Sequence, residues 1–137
     1  MNIAILETLT ITSDPNNIAQ VETFVEDIRA KYNIADDAFG NILISLTEAA
    51  NNAIIHGNGS DISKTVEITV TPDERGKNLT FSVKDQGKGF DYSNLADPTA
   101  PENLDQPCGR GVFLMMQLAD LVVFSDKGST VEMKFRI

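Results

Sequence analysis

Three short stretches hold residues whose types and spacing could do chemistry. In VKDQGKGFD, residues 83–91, a strand-like run ends in Asp85, with Gly87 and Gly89 following. A carboxylate at a strand end can accept a hydrogen bond from an exocyclic amine, and the glycines leave room for a ligand. In CGRGVFLMMQLAD, residues 108–120, Gly109 and Gly111 flank Arg110 directly before an apolar helical pattern. Free amides at a helix start attract anions, and an arginine there adds a charge-assisted contact to a phosphate. In TEAANNAIIHGNG, residues 47–59, Glu48, Asn52 and His56 recur at a spacing of four, with Ser45 near the start of the stripe. Such residues share one face of a helix, and the apolar residues are expected on the opposite face. Each stretch also has an ordinary reading: a tight turn with an Asp cap, a loop-to-helix junction, a solvent-facing stripe.

Several mechanisms are excluded by what the chain lacks. The G-x-x-x-x-G-K-[ST] phosphate loop is absent, and the glycines after Asp85 have no third partner in the dinucleotide-binding register. The eukaryotic protein-kinase signatures and the G-x-S-x-G elbow are missing. One Cys and one His are too few for the usual zinc sites.

These residues must be held by a fold, and the pattern of the chain suggests which one. Residues 3–11 read as a strand, and Ser13 or Asp14 before Pro15 can open a helix. Ile18, Val21, Phe24, Val25 and Ile28 follow at helical spacing, ending near Tyr32-Asn33. Asp36 or Asp37 starts a second helix with Phe39, Ile42, Leu43, Leu46, Ala50, Ala53 and Ile54 on its apolar face. Gly57-Asn58-Gly59 is expected to end that helix through a left-handed glycine cap. Strands are expected over 65–71 and 79–84, then a helix over 112–118, then strands over 121–125 and 130–137. Residues 85–111 break the periodicity and hold Pro98, Pro101 and Pro107, as a functional loop or lid would. The order β-α-α-β-β-loop-α-β-β implies an α+β fold: a two-layer α/β sandwich whose mixed, mostly antiparallel sheet carries its helices on one face.

The chain of 137 residues suits a single domain and is 42% hydrophobic, enough for a core without staples. Its single cysteine fits a reducing, cytoplasmic setting. No secretory signal or membrane-spanning run is expected. A net charge of −9 argues against non-specific nucleic-acid binding and is compatible with a partner that presents a basic face.

Taken in order, a Glu-x-x-x-Asn helix, a strand ending Asp-x-Gly-x-Gly-Phe, a loop and a Gly-x-Gly helix resemble the GHKL ATPase superfamily, with its Bergerat ATP-binding fold. The resemblance runs from about Asp37 to the C-terminus. SLTEAANNAIIHGN together with GRGVFLM is most similar to the bacterial anti-sigma-factor serine/threonine kinases. The resemblance implies ATP and Mg2+ as cofactors, with ATP between helices and sheet. Asn52 would ligate the metal, and Glu48 would be the general base for an attacking hydroxyl. Asp85 would accept the adenine amino group, and Gly87 and Gly89 would shape the pocket. Gly109, Arg110 and Gly111 would meet the phosphates, residues 95–108 would form a short lid, and Thr130 would reach adenine, often through water. No metal role falls to Asn51, and His56 is expected to be structural or a cap before it is a group near the phosphates.

By the same resemblance, the chain would phosphorylate an anti-anti-sigma protein, sequester a sigma factor and form a homodimer in the cytoplasm, with no direct nucleic-acid or membrane contact. Glu22, Glu26 and Arg29 are read as a solvated helix face before a contact surface. Two alternatives stand beside this: a non-catalytic ATP-dependent switch module, and the ATP-binding half of a sensor histidine kinase. The second lacks a phosphoacceptor helix pair in this sequence.

Overall fold

The computed structural model describes residues 7–87, 114–126 and 129–137. Strand β1 (Glu7–Thr12) leads through a 3-10 turn (Pro15–Asn17) into α1 (Ile18–Tyr32) and α2 (Asp36–Asn52). Then come β2 (Thr65–Pro72), β3 (Asn78–Lys84), β4 (Leu121–Ser125) and β5 (Thr130–Arg136), with residues 114–118 helical before β4. The five strands form one sheet in the order β1-β2-β3-β5-β4.

All four strand pairings are antiparallel, a narrower outcome than the mixed sheet expected from the sequence. The connections explain it. Between β1 and β2 the chain reverses three times, into α1, into α2 and into β2, so β2 returns antiparallel to β1. Strands β3 and β4 run in the same direction, but β5 inserts between them and removes the one parallel pairing.

Alternation along the strands decides which face is covered. Val66, Ile68 and Val70 of β2, Leu79, Phe81 and Val83 of β3, and Val131, Met133 and Phe135 of β5 all point inward and are buried. Between them Glu67, Lys84, Glu132, Lys134 and Arg136 face out. Against the inner face lie Val21, Val25 and Ile28 of α1 and Ile42, Leu46, Ala49 and Ala50 of α2, all buried. The apolar faces read from the spacing are the ones used, with Ala49 added and with Phe39 and Leu43 only partly buried at the core's margin.

The turn between the helices is held by more than packing. Asn33 takes a left-handed conformation (φ 52°) and donates its N–H to the Arg29 carbonyl, ending α1. Arg29 pairs with Asp36 and lies over the Phe39 ring, 4.4 Å from its centroid. It therefore joins the two helices, and of the solvated-face residues only Glu22 and Glu26 remain without such a role. Ala35, not an aspartate, caps α2; Asp36 and Asp37 lie in its first turn, where the helix dipole favours negative charge.

Phe81 is wholly buried and meets Phe135 edge to face at 6.0 Å and 76°. Phe81→Ala should cost about 3–5 kcal/mol from lost burial and the cavity left behind. Denaturant midpoints at unchanged slope would measure this, and a loss under about 1 kcal/mol would mean that the site collapses to fill the gap.

Candidate functional site

The register of the sheet gathers several strand ends at one edge. Thr12 pairs with Thr65, Lys84 with Thr130, and Ser125 with Thr130. Helix α2 packs over β3 and β5 and delivers its C-terminal end to the same edge. Asp85, immediately after β3, is 8% exposed.

The end of α2 is not the simple glycine cap expected. Residues Ala53–Gly57 form a π-helical turn, closed by the Asn58 N–H bonding to the Ala53 carbonyl at 2.8 Å. Such wide turns recur at functional sites because they re-aim side chains. Here the turn breaks the spacing of four. Asn52 is half-buried while His56 is exposed, so the histidine leaves the stripe. The left-handed glycine is Gly59 (φ 62°), two residues later than the helix end.

The stripe itself borders the apolar face rather than opposing it. Ser45 is fully buried, and Glu48 is half-buried. Asn52 Nδ2 and Ser45 Oγ are buried and without a hydrogen-bond partner among the described residues. Glu48 likewise has no hydrogen bond or ion pair among them. A solvated stripe would not bury an amide, and orphaned buried polar groups are costly and rare. Glu48 and Asn52 are thus half-buried with their side-chain polar capacity uncommitted among the described residues. The amide oxygen of Asn52 is a hard donor of the kind that suits Mg2+, and the residue fits that ion.

Asp85 is the most constrained carboxylate of the site. Its N–H donates to the Ser129 carbonyl at 2.9 Å, and its Oδ1 accepts the Gly87 N–H at 2.8 Å. The carboxylate lies against Gly57, where any Cβ would fall inside contact distance of it, and a Cβ on Gly87 would strike the Gly57 carbonyl. Gly87 requires glycine because a Cβ would meet backbone, whereas at Gly57 a Cβ would force the Asp85 carboxylate aside. For Gly57 this reason is tertiary, and only the chain's local pattern was legible beforehand. Burial pushes the Asp85 carboxyl above its ordinary value of 3.8, against the opposing pull of the Gly87 N–H and the Lys64 charge.

Thr130, at the start of β5, is 9% exposed and pairs with Lys84, so by the alternation of the ladder its side chain shares the face of Lys84 and Glu132. Its hydroxyl donates to Asp126 Oδ2 at 3.0 Å, so the hydroxyl oxygen is left as an acceptor. Asp85, buried against the end of the helix, offers an acceptor matched to an amino group. The sequence singled out neither Asp126 nor Asn58, which is 3% exposed and bonded to Ser13, Thr65 and Gln86. Gly89, Gly109, Arg110, Gly111 and the expected lid at 95–108 lie outside the described residues.

Comparison with known proteins now has a geometry to meet. The family model described as a histidine kinase-like ATPase domain matches residues 11–135. The serine-protein kinase RsbW of Bacillus licheniformis is 32% identical over 126 residues, spanning 87% of this chain and 78% of that protein. Its namesake from Bacillus cereus is 26% identical over 123 residues, spanning 85% and 75%. A crystal structure of the RsbU and RsbW domains of Rv1364c from Mycobacterium tuberculosis superposes with a TM-score of 0.67 at 16% identity. That match covers 96% of this chain and 32% of the other, and at such identity it shows the fold.

Two outcomes test the site. Gly57→Ala should cost only about 1 kcal/mol, because the Asp85 side chain can rotate away, yet weaken ATP binding about tenfold or more. Gly87→Ala should destabilise further, since it meets backbone. Unchanged ATP affinity in the Gly57 variant by calorimetry would refute the contact's role. Asp85→Asn tests the burial. A carboxyl whose folded value is raised contributes stability that is full below its ordinary 3.8 and lost as pH rises through the folded value. The variant should therefore gain on the parent in thermal melts as pH climbs towards neutrality; a pH-independent gap would contradict this.

Proposed function

The chain belongs to the histidine kinase-like ATPase domain family, and on that premise we propose that it is a single-domain, ATP- and Mg2+-dependent serine/threonine protein kinase serving as an anti-sigma factor. The observation that carries the reading is a buried acceptor, Asp85, pressed against the end of the helix that carries the uncommitted Glu48 and Asn52. The relatives' printed name, serine-protein kinase, supports the choice of reaction.

In this reading each residue has one task. Asp85 accepts the exocyclic amine of adenine, and its carboxylate would repel the carbonyl that guanine carries at the same position. Thr130, its hydrogen committed to Asp126, would reach adenine through water. Gly57 and Gly87 keep the floor of the pocket open to the base. Asn52 offers its amide oxygen to Mg2+, which when bound would neutralise phosphate charge. Among the described residues no cluster of three or more His, Cys, Asp or Glu could hold a metal alone. Such an ion would therefore share its shell with the triphosphate and water, as Mg2+ commonly does. Glu48, one turn before Asn52, takes the proton of the attacking serine or threonine hydroxyl as the γ-phosphoryl passes to it and ADP leaves. Gly89, Gly109, Arg110 and Gly111 complete the nucleotide contacts.

The protein substrate would be an anti-anti-sigma protein, and the sequestered partner a sigma factor. The acidic surface favours a basic face on that partner. No described helix is long and apolar enough to cross a membrane. The reading places the protein in the cytoplasm as a homodimer, without direct contact to nucleic acid.

Glu48→Ala separates chemistry from binding. Transfer of labelled phosphate to the antagonist should fall about 10²-fold or more, while ATP affinity stays within a few-fold of the parent. Retained transfer would remove Glu48 as the base. Unchanged control of the sigma factor in the inactive variant would favour the non-catalytic switch.

A further inference from the structure

Asn58 is the most fully engaged buried side chain outside the residues given a role above. It is 3% exposed and follows Gly57 directly. Its Nδ2 donates to Ser13 Oγ at 2.8 Å and to the Thr65 carbonyl at 3.0 Å. Its Oδ1 accepts the Gln86 N–H at 2.7 Å. Gln86 answers across the same gap, its Oε1 accepting the Thr65 N–H at 2.7 Å. The end of β1, the start of β2 and the turn after β3 are thereby tied to one side chain.

The geometry points to Asn58 as a positioning residue for the base-reading carboxylate of Asp85, a role that rests on Asp85 accepting the adenine amine. Two neighbours on one segment meet two neighbours on the other: Gly57 lies against the Asp85 side chain, and Asn58 holds the Gln86 amide. Asp85 is then fixed on both sides. Its own N–H goes to Ser129, and the following N–H goes to Asn58. The next N–H, that of Gly87, returns to the Asp85 carboxylate itself. Freed from Asn58, the turn could rotate about Asp85, and the carboxylate would lose its fixed direction. Asparagine suits the place because it alone, at this length, combines two donors with an acceptor. Aspartate would face the Thr65 carbonyl with no hydrogen and would set a second charge near Asp85.

The test compares ATP with ITP, which carries a carbonyl where adenine carries its amine. Affinities are measured by calorimetry for the parent, Asn58→Ala, the milder Asn58→Ser and the control Ser13→Ala, each well below its own melting temperature. Hydrogen exchange at the Gln86 amide is followed in all four. Ser13→Ala removes one of Asn58's partners and leaves the Gln86 bond. The parent should prefer ATP by about tenfold or more, as a hydrogen bond to a charged acceptor warrants. In both Asn58 variants the preference should shrink to within about threefold, and Gln86 should lose protection. Ser13→Ala should lower the melting temperature with preference and protection intact. A parent-like preference in both Asn58 variants would overturn the positioning role and leave Asp85 as the reader. An equal loss in Ser13→Ala would overturn it too, since general loosening would then suffice. No preference in the parent would sink the reading of Asp85 and this proposal with it.

Discussion

The last turn of α2 comes so close to the end of β3 that no side chain fits between them. Gly57 touches the Asp85 carboxylate, and Gly87 touches the Gly57 carbonyl. That approach joins the end of the helix that carries Glu48 and Asn52 to the turn after β3. It also removes water from Asp85. The antiparallel register brings Ser129 alongside to accept the Asp85 N–H, and the two-helix crossover returns the chain to the edge at Thr65. The parts of the site are therefore consequences of one contact.

The same contact creates a tension between stability and function. A carboxylate pressed under backbone is disfavoured in its charged form, which is why burial raises the Asp85 carboxyl. Buried orphans at Asn52 and Ser45 add to the cost. Large apolar burial in the three central strands offsets these terms. A strained polar edge beside a well-packed core is the pattern expected where binding groups must be held ready for a ligand.

Much of this was legible in the chain. Periodicities of two and 3.6 located five strands and two long helices because each element buries one face only. The motif order identified the ATPase resemblance, and the matches to relatives bear out the family and the α+β fold. The less legible features arise where local rules yield to tertiary ones. The spacing of four placed His56 in the stripe, but the π-helical turn carries it into solvent. Gly57 reads locally as a helix terminator, whereas its glycine is required by a strand far along the sequence. Arg29 reads as a surface charge and is instead the joint between two helices.

By itself, the sequence determined the number and kind of elements, the face each buries, and the residue types that suit ATP chemistry. Those properties depend on neighbours within a turn or a strand, where spacing is sufficient. The tertiary structure alone decided that every strand pairing is antiparallel, and that Ser45 and the Asn52 amide of the polar stripe are buried rather than solvated. It alone made Asn58 a buried tie between three segments. These depend on contacts between residues tens of positions apart, and nothing in the local pattern of Gly57-Asn58 or Asp85-Gln86 states that the two will meet.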